Sequence, residues 1–138
     1  MPQVYKNQIQ VHQNDAIRKI FGIRDPVTSV RHLFSKHGLL NIRQMYIYNI
    51  LIFGYKQLHA LHPVTALFDF HLYNSVYPSK SKELERLKLP LFKTETRRVY
   101  SICFQVIMAW NMIPLAIRKQ ESLNNFKRKI FEYVQCNI

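Results

Sequence analysis

Apolar residues recur at helical spacing near the start of the chain. In residues 3–21 they return every three or four positions, which is typical of an amphipathic α-helix. The apolar face of this first predicted helix comprises Tyr5, Ile9, Ala16, Ile17, Ile20 and Phe21. Gly22 can end the helix in a left-handed turn, and Pro26 follows closely. The pattern therefore predicts a helix with a wide face available for packing.

Two further helices are predicted before Pro63. Ser29 can cap a short one that stops at Gly38 and turns these residues inward: Val30, Leu33 and Phe34. Asn41 can cap a longer third helix, which carries two largely apolar stripes. The first stripe comprises Ile42, Met45, Tyr46, Asn49, Ile52 and Phe53. The second comprises Tyr48, Leu51, Tyr55 and Leu58. A helix that is apolar on two faces is either central in a bundle or covered by a partner. Gly54 costs about 1 kcal/mol against alanine in a helix interior, which indicates close packing there.

The middle of the chain breaks the helical pattern. Residues 63–79 are aromatic and irregular, and residues 80–98 hold seven Lys and Arg against three Glu. Leu87 and Leu89 alternate with Lys88 before Pro90, which is typical of a short strand or an extended arm. We expect this stretch to be a long, exposed and basic connection.

The last third of the chain returns to helical spacing. A fourth helix over roughly 97–111 shares one apolar face, made of Val99, Ile102, Cys103, Val106, Ile107 and Trp110. Pro114 ends it, a short turn follows over 115–119, and Ser122 can cap a final helix. The inward stripe of that helix is Leu123, Phe126, Ile130 and Val134. The fold class predicted is mainly α: one domain over 1–138, a small bundle of about five helices with one long irregular basic connection.

Composition points to a basic binding protein without catalytic or cofactor chemistry. Twenty Lys and Arg against eight Asp and Glu give a formal charge of +12, which favours a polyanionic partner. The acidic residues are too scattered for a two-metal site. The spacing of His59 and His62 lacks further metal ligands, and the glycine-rich and nucleophile motifs are missing. Cys103 lies in an apolar run, where it is core filler rather than a nucleophile. No cofactor, metal or catalytic residue is predicted.

The apolar stretches are too short for the membrane. The longest, residues 46–55, is about half of a bilayer span and contains Asn49. The first fifteen residues are too polar for a signal peptide. With two cysteines and no CxxC spacing, the chain is expected to be intracellular, nuclear or cytoplasmic.

Two stretches resemble a known family. The first reads Gln13-Asn14-x-Ala16-Ile17-Arg18-x-Ile20-Phe21-Gly22, and the second reads Trp110-Asn111-x-Ile113-Pro114-x-x-Ile117 followed by Ser122 and Phe126-Lys127. In this order they are similar to the region after the catalytic palm in reverse transcriptases of non-LTR (LINE-type) retrotransposons of animals. The sequence differs from the family pattern in the middle of the chain, where the family's His-x-Thr-Arg-like element is degraded. Ile113 also replaces a leucine, and no Cys/His knuckle follows.

The resemblance implies a polymerase thumb without its enzyme. The metal-binding aspartates of the family belong to the palm, which would precede residue 1, and the thumb holds a template–primer duplex through its backbone. By resemblance Lys6, Arg18 and Lys19 are the candidate nucleic-acid contacts. Charge alone adds further candidates: Arg97, Arg98, Arg118, Lys127, Arg128 and Lys129. An intramolecular pair is the other interpretation of Arg18, while Trp110 and Asn111 are expected to fill the core and to cap a helix end.

Two functions of different classes follow. The first is a non-catalytic helical module that contacts the backbone of RNA, DNA or a hybrid. The alternative is a retroelement-derived interaction factor that binds a protein partner through the apolar face at Tyr48, Leu51 and Tyr55. A membrane-surface role is disfavoured because no segment combines a lysine-rich face with a strong apolar one.

Overall fold

Six α-helices, numbered here in chain order, make up most of the part of the chain that the structure describes. This computed structural model describes residues 3–59, 87, 93–94 and 101–138. The helices are α1 (Gln3–Ile20), α2 (Arg31–Lys36), α3 (Ile42–Leu58), α4 (Ile102–Met112), α5 (Leu115–Arg118) and α6 (Leu123–Asn137). The prediction of a mainly α bundle is confirmed, and the described ranges contain no β-strand. Apart from Leu87 and residues 93–94, the predicted basic connection lies outside them.

Glycines end α1 and α2 as the sequence predicts. Gly22 (φ 68°) and Gly38 (φ 64°) occupy the left-handed region that side chains rarely adopt. At the first turn Ile23 N–H donates to the Arg18 carbonyl at 2.8 Å, and Leu39 N–H makes the equivalent bond at 2.8 Å at the second. Ile23 and Leu39 then pack on a small buried cluster: Ile17, Val30, Leu33 and Phe34.

The start of α3 is tied both to itself and to α6. The Asn41 side chain accepts from Gln44 N–H at 2.9 Å, and the Gln44 side chain accepts from Asn41 N–H at 2.9 Å, which completes a capping box. Gln44 is 8% exposed and also donates to the carbonyls of Val134 and Gln135 at 3.3 and 3.4 Å. One glutamine therefore satisfies the beginning of one helix and the end of another.

The two serine caps differ from expectation. Helix α2 begins at Arg31 with Val30 at the cap position, and Ser29 lies one residue earlier, where its hydroxyl accepts from Arg31 N–H at 3.4 Å. Ser122 does stand at the cap position of α6, but its side chain makes no capping bond. Burial of Val30 in the small cluster shifts the start of α2, because packing outweighs a cap worth about 1 kcal/mol.

Helix α3 is the centre of the bundle, where it packs against α1, α4 and α6. The stripe at Leu51 and Tyr55 is thus covered within the chain, as the central-helix interpretation predicts, whereas Met45 and Tyr46 on the other stripe stay exposed. The Tyr55 ring lies 4.3 Å from the Phe126 ring, and Phe126 lies 5.6 Å from Trp110. These three side chains are essentially without exposed surface, as is the α6 stripe at Ile130 and Val134. The aromatic stack fixes how α3, α4 and α6 meet.

Close packing at Gly54 is confirmed. A Cβ atom at this position would stand 2.7 Å from Val106 Cγ1, and both residues are buried. The glycine therefore lets α3 and α4 approach where any side chain would collide.

Asn111 does not cap its helix as predicted. Its side-chain oxygen accepts from Leu87 N–H at 2.8 Å, and its amide nitrogen donates to the Leu87 carbonyl at 3.0 Å. The amide copies the pairing of a backbone group, and Leu87 is 2% exposed. The partner residue lies 24 positions away, so the local sequence around Asn111 could not indicate it.

The apolar face predicted for α1 is largely uncovered. Tyr5, Ile9, Ala16 and Ile20 are exposed, and Ile17 alone among the described residues of this helix is buried. The expectation that this whole face packs is wrong.

Helix α1 instead meets α3 through amide side chains. The Gln10 side chain accepts from Ile42 N–H at 2.9 Å, and the Gln13 side chain donates to the Leu40 carbonyl at 2.9 Å. The first turn of α3 has backbone N–H groups without helical partners, and the preceding loop has a free carbonyl. Glutamines can satisfy both, so α1 turns its amide face inward.

Candidate functional site

A groove of about 1410 Å³ runs along the amino-terminal half of α3. Helix α1 lies on one side, and α4 with the last residues of α6 lies on the other. The floor is the start of α3, from Ile42 to Ile50. The groove combines charged, amide and apolar linings.

Positive charge collects around this groove. The cations that line it come from three helices: Lys6 and Arg18 from α1, Arg31 from α2 and Arg43 from α3. Among the described lining residues there is no aspartate or glutamate to neutralise them. Arg31 and Arg43 are exposed, so their guanidinium groups are available to an anion.

Tyr46 connects the two sides across the floor. Lys6 Nζ lies 5.4 Å from the centre of the Tyr46 ring, and the Tyr46 hydroxyl bonds to the Gln105 side chain on α4. Burial raises the pKa of Tyr46, so the hydroxyl stays protonated and can donate. This contact sets the spacing between the cationic and the opposite side.

Amide side chains follow the inner face of α1. Gln10 donates to Gln13 and to Asn14, each at 2.9 Å, and Gln3 donates to Asn7 at 2.9 Å. Each amide offers both donors and acceptors, so this side of the groove can pair with polar edges of either kind.

The α4 side of the groove is mainly apolar, with Gln105 as its polar member. Phe104, Met108 and Met112 follow one another at four-residue spacing on α4. Met108 is 45% and Met112 69% exposed. Because methionine adapts its shape to what it touches, this side suits flat or irregular apolar groups.

Of the predicted contacts, Lys6 lines the groove as a half-buried residue with its ammonium group over the Tyr46 ring, and Arg18 lines it in a different role. Arg18 Nη1 lies 2.9 Å from the Asp15 carboxylate, and Nη2 donates to the Thr28 carbonyl at 3.1 Å. The intramolecular pair, which was the other interpretation of Arg18, is therefore present, and a contact with phosphate stays a prediction. Its guanidinium fastens the loop after α1 to the helix.

That loop is ordered by Asp25. Its carboxylate accepts from Val27 N–H at 2.9 Å and from the Thr28 hydroxyl at 2.8 Å. These bonds, chiefly the one from Val27, hold the pKa of Asp25 below its ordinary value. The loop then offers the Thr28 carbonyl to Arg18, next to the groove.

Arg118 is the clearest correction among the charge-based candidates. It is 9% exposed, and its Nε donates to the Ile113 carbonyl at 3.1 Å. A guanidinium that is buried in this way stabilises the turn around α5 and cannot track a phosphate backbone.

The other predicted cations lie away from the groove or outside the described residues. Lys19 and Arg128 are exposed, and Lys127 and Lys129 are half-buried on α6. None of these four lines the groove. Arg97 and Arg98 lie outside the described ranges.

The alternative partner-binding face is closed. Leu51 and Tyr55 have no exposed surface, and the half-buried Tyr48 ring packs edge-on against Phe131 at 6.0 Å. The Tyr55 hydroxyl donates to the Gln120 carbonyl at 2.9 Å. Leu51 and Tyr55 belong to the bundle core and offer no free surface to a second protein, and of the three only Tyr48 keeps some exposed surface.

Arg31 and Arg43 were missed by the sequence reasoning. Neither has a Lys or Arg next to it in the sequence, whereas most of the predicted cations stand in runs. The available signal was their position in the first turn of a helix, which only the turns at Gly22 and Gly38 bring together with α1.

Cysteine, metal and membrane features add no second site in the part of the chain that the structure describes. Cys103 is half-buried and packs on the core, and burial raises the pKa of its thiol, as expected of core filler. Within the described ranges, His, Cys, Asp and Glu form no group of three or more that could hold a metal ion. The described helices also include none with the length and apolarity needed to cross a bilayer.

In comparisons with known proteins, the chain matches no protein-family model, no curated protein and no solved structure. Function is therefore inferred from the residues that line the groove.

Proposed function

We propose that the chain binds a nucleic acid through its sugar–phosphate backbone in the groove and has no polymerase activity of its own. The observation that supports this is the set of Lys6, Arg31 and Arg43 around one groove without a carboxylate among its described lining residues. Affinity for nucleic acid arises mainly from cations that replace the counterions of phosphates. The resemblance to the thumb of non-LTR reverse transcriptases favours the same ligand.

The groove suits phosphate better than an isolated surface cation does. Arg31 and Arg43 present forked donors that match phosphate oxygens, and Lys6 adds a point charge from a different helix. The cations come from three different helices rather than from one short run of sequence, which suits a chain of phosphates more than a single anion. Contact with the backbone alone reads no sequence.

A salt titration with charge-reversed variants tests the proposal. Binding of a fluorescent oligonucleotide, measured by anisotropy, should weaken steeply as salt rises, by about 0.7 to 0.9 in log K per log salt for each phosphate contact. Arg31→Glu with Arg43→Glu should lower the affinity and flatten the slope by about 1.5. Arg24→Glu with Arg128→Glu changes the charge equally at exposed positions outside the groove, so it is the matched control.

Flat anisotropy with RNA, DNA and hybrid probes at low salt would exclude nucleic-acid binding. Equal loss in both double variants would mean that overall charge, not the groove, attracts the probe. A larger loss in the Arg24 and Arg128 variant would place the binding surface elsewhere and overturn the assignment to the groove.

A further inference from the structure

We infer that the groove accepts a single strand rather than a duplex, with phosphates toward Lys6, Arg31 and Arg43 and bases against the α4 side at Met108 and Met112. This inference rests on the proposed function, which it makes more specific. It follows from the unlike chemistry of the two sides of one groove.

The exposed methionines on the α4 side favour contact with unpaired bases. Met108 and Met112 expose 45% and 69% of their surface inside a groove that also holds cations. A duplex presents phosphates and sugars outward and keeps the faces of its bases stacked inside, so it would leave these methionines in contact with water. An unpaired strand has exposed base faces, which gain by covering apolar side chains.

The amide side chains that line the groove match the edges of unpaired bases. Gln3 and Asn7 on α1, with Gln105 on α4 and Asn137 on α6, bring amide groups to the groove from three helices. Unpaired bases display Watson–Crick edges with donors and acceptors side by side, which amide groups match. An acidic amphipathic peptide would also suit a groove with one cationic and one apolar side, but a helical peptide satisfies its own backbone groups and presents no base edges to these amides.

Tyr46 joins the cationic and the apolar side of the groove. Because Lys6 lies over the Tyr46 ring and Tyr46 bonds to Gln105, cationic and apolar sides are joined by one side chain at the floor. Both are therefore held within reach of a single polymer whose phosphates and bases point in different directions. A single strand has this property at every nucleotide.

Four probes of matched length separate the candidate ligands. They are a single strand of about 12 nucleotides, the duplex of the same sequence, an abasic single strand with the same number of phosphates, and an acidic amphipathic peptide. The protein variants are Met108→Ser with Met112→Ser and, as the control, Ile102→Ser. Ile102 is 45% exposed on the same helix but does not line the groove.

We expect the single strand to bind at least about tenfold more tightly than the abasic strand, since burial of exposed methionine surface under the bases is worth about this much. The paired methionine variant should lose most of that difference and leave the affinity for the abasic strand unchanged, whereas Ile102→Ser should behave like the parent protein. Arg31→Glu with Arg43→Glu should weaken both strands alike.

Tighter binding of the duplex than of the single strand would overturn the inference and leave the proposed function in place. Equal binding of the intact and abasic strands would also overturn it, because the α4 side would then contact no base. Stronger binding of the peptide than of any oligonucleotide would overturn both the inference and the proposed function. Failure of all oligonucleotides to bind would exclude the proposed function itself.

Discussion

Replacement of Gly54 by alanine tests how closely α3 and α4 approach. The added Cβ atom would stand 2.7 Å from Val106 Cγ1, well inside the usual separation of about 3.5 to 4.0 Å between carbon atoms. Val106 has no exposed surface and, as a β-branched residue in a helix, keeps one strongly preferred rotamer. It cannot swing away from the new methyl group, so the helices must separate.

Two opposing effects set the size of the change. Alanine is favoured over glycine in a helix interior by about 1 kcal/mol. An extra carbon in a well-packed core costs about 1 to 3 kcal/mol. Because the colliding atom belongs to a buried and stiff side chain, we expect about 2 kcal/mol from the collision. Gly54→Ala should therefore lower the free energy of unfolding by about 1 kcal/mol.

Urea denaturation followed by far-ultraviolet circular dichroism measures this change, with an unaltered m-value as the sign that the unfolding transition is the same. The matched background is Val106→Ala, which removes the colliding methyl groups and itself costs about 2 kcal/mol. In that background Gly54→Ala should stabilise the protein by about 1 kcal/mol, so the cycle gives a coupling of about 2 kcal/mol. If Gly54→Ala stabilises the protein equally in both backgrounds, the close approach of α3 and α4 is refuted.

Three further substitutions test single hydrogen bonds by the same denaturation assay. Tyr55→Phe should cost about 1 kcal/mol, more than Tyr133→Phe, whose hydroxyl bond to a carbonyl is a long 3.4 Å in an exposed place. Burial raises the pKa of Tyr55, so the contribution of its protonated hydroxyl to the free energy of unfolding is complete below about pH 10 and is lost as the pH rises through the folded-state pKa. The parent protein should therefore lose more stability between about pH 9 and 11 than Tyr55→Phe does. Equal losses would contradict this. Asn111→Asp should cost about 1 to 3 kcal/mol, because a carboxylate cannot donate to the Leu87 carbonyl, and an unchanged midpoint would mean that this pairing contributes nothing. Gln44→Glu should cost about 2 kcal/mol, since it replaces a buried donor to two carbonyls at the end of α6 with a negative charge. The cost should be larger at neutral pH, where the carboxylate is charged, than at acid pH, and the opposite order would contradict this reason.

Local chemistry explains what the sequence predicted well. The ends of α1 and α2 follow from two glycines in the left-handed region, and the start of α3 follows from the Asn41 capping box. The inward stripe of α6 is regular enough to identify Phe126, Ile130 and Val134 before any packing is known. Each of these features is decided by residues within one or two helical turns.

Features decided by distant residues were predicted less well. Periodicity identified an apolar face on α1, but the unsatisfied backbone groups near Leu40 and Ile42 determined which face turns inward. Arg118 is a different case, because the Ile113 carbonyl that accepts from its Nε lies only five residues earlier, but charge alone does not indicate that the side chain is buried. Proximity between Arg31 and α1 also arises only in the folded chain, so runs of charge could not reveal the groove.

The attachment of α1 by glutamine side chains gives the bundle an uneven distribution of stability. Little apolar surface is buried beneath α1, whereas α3, α4 and α6 enclose the aromatic stack. Opening of α1 alone should therefore need less free energy than global unfolding. In native-state hydrogen exchange its amide protons should be replaced by deuterium earlier than those of α3, and exchange at equal rates would show one cooperative unit. A ligand that bridges α1 and α3 would slow this opening, so the same measurement reports occupancy of the groove without any label on the ligand.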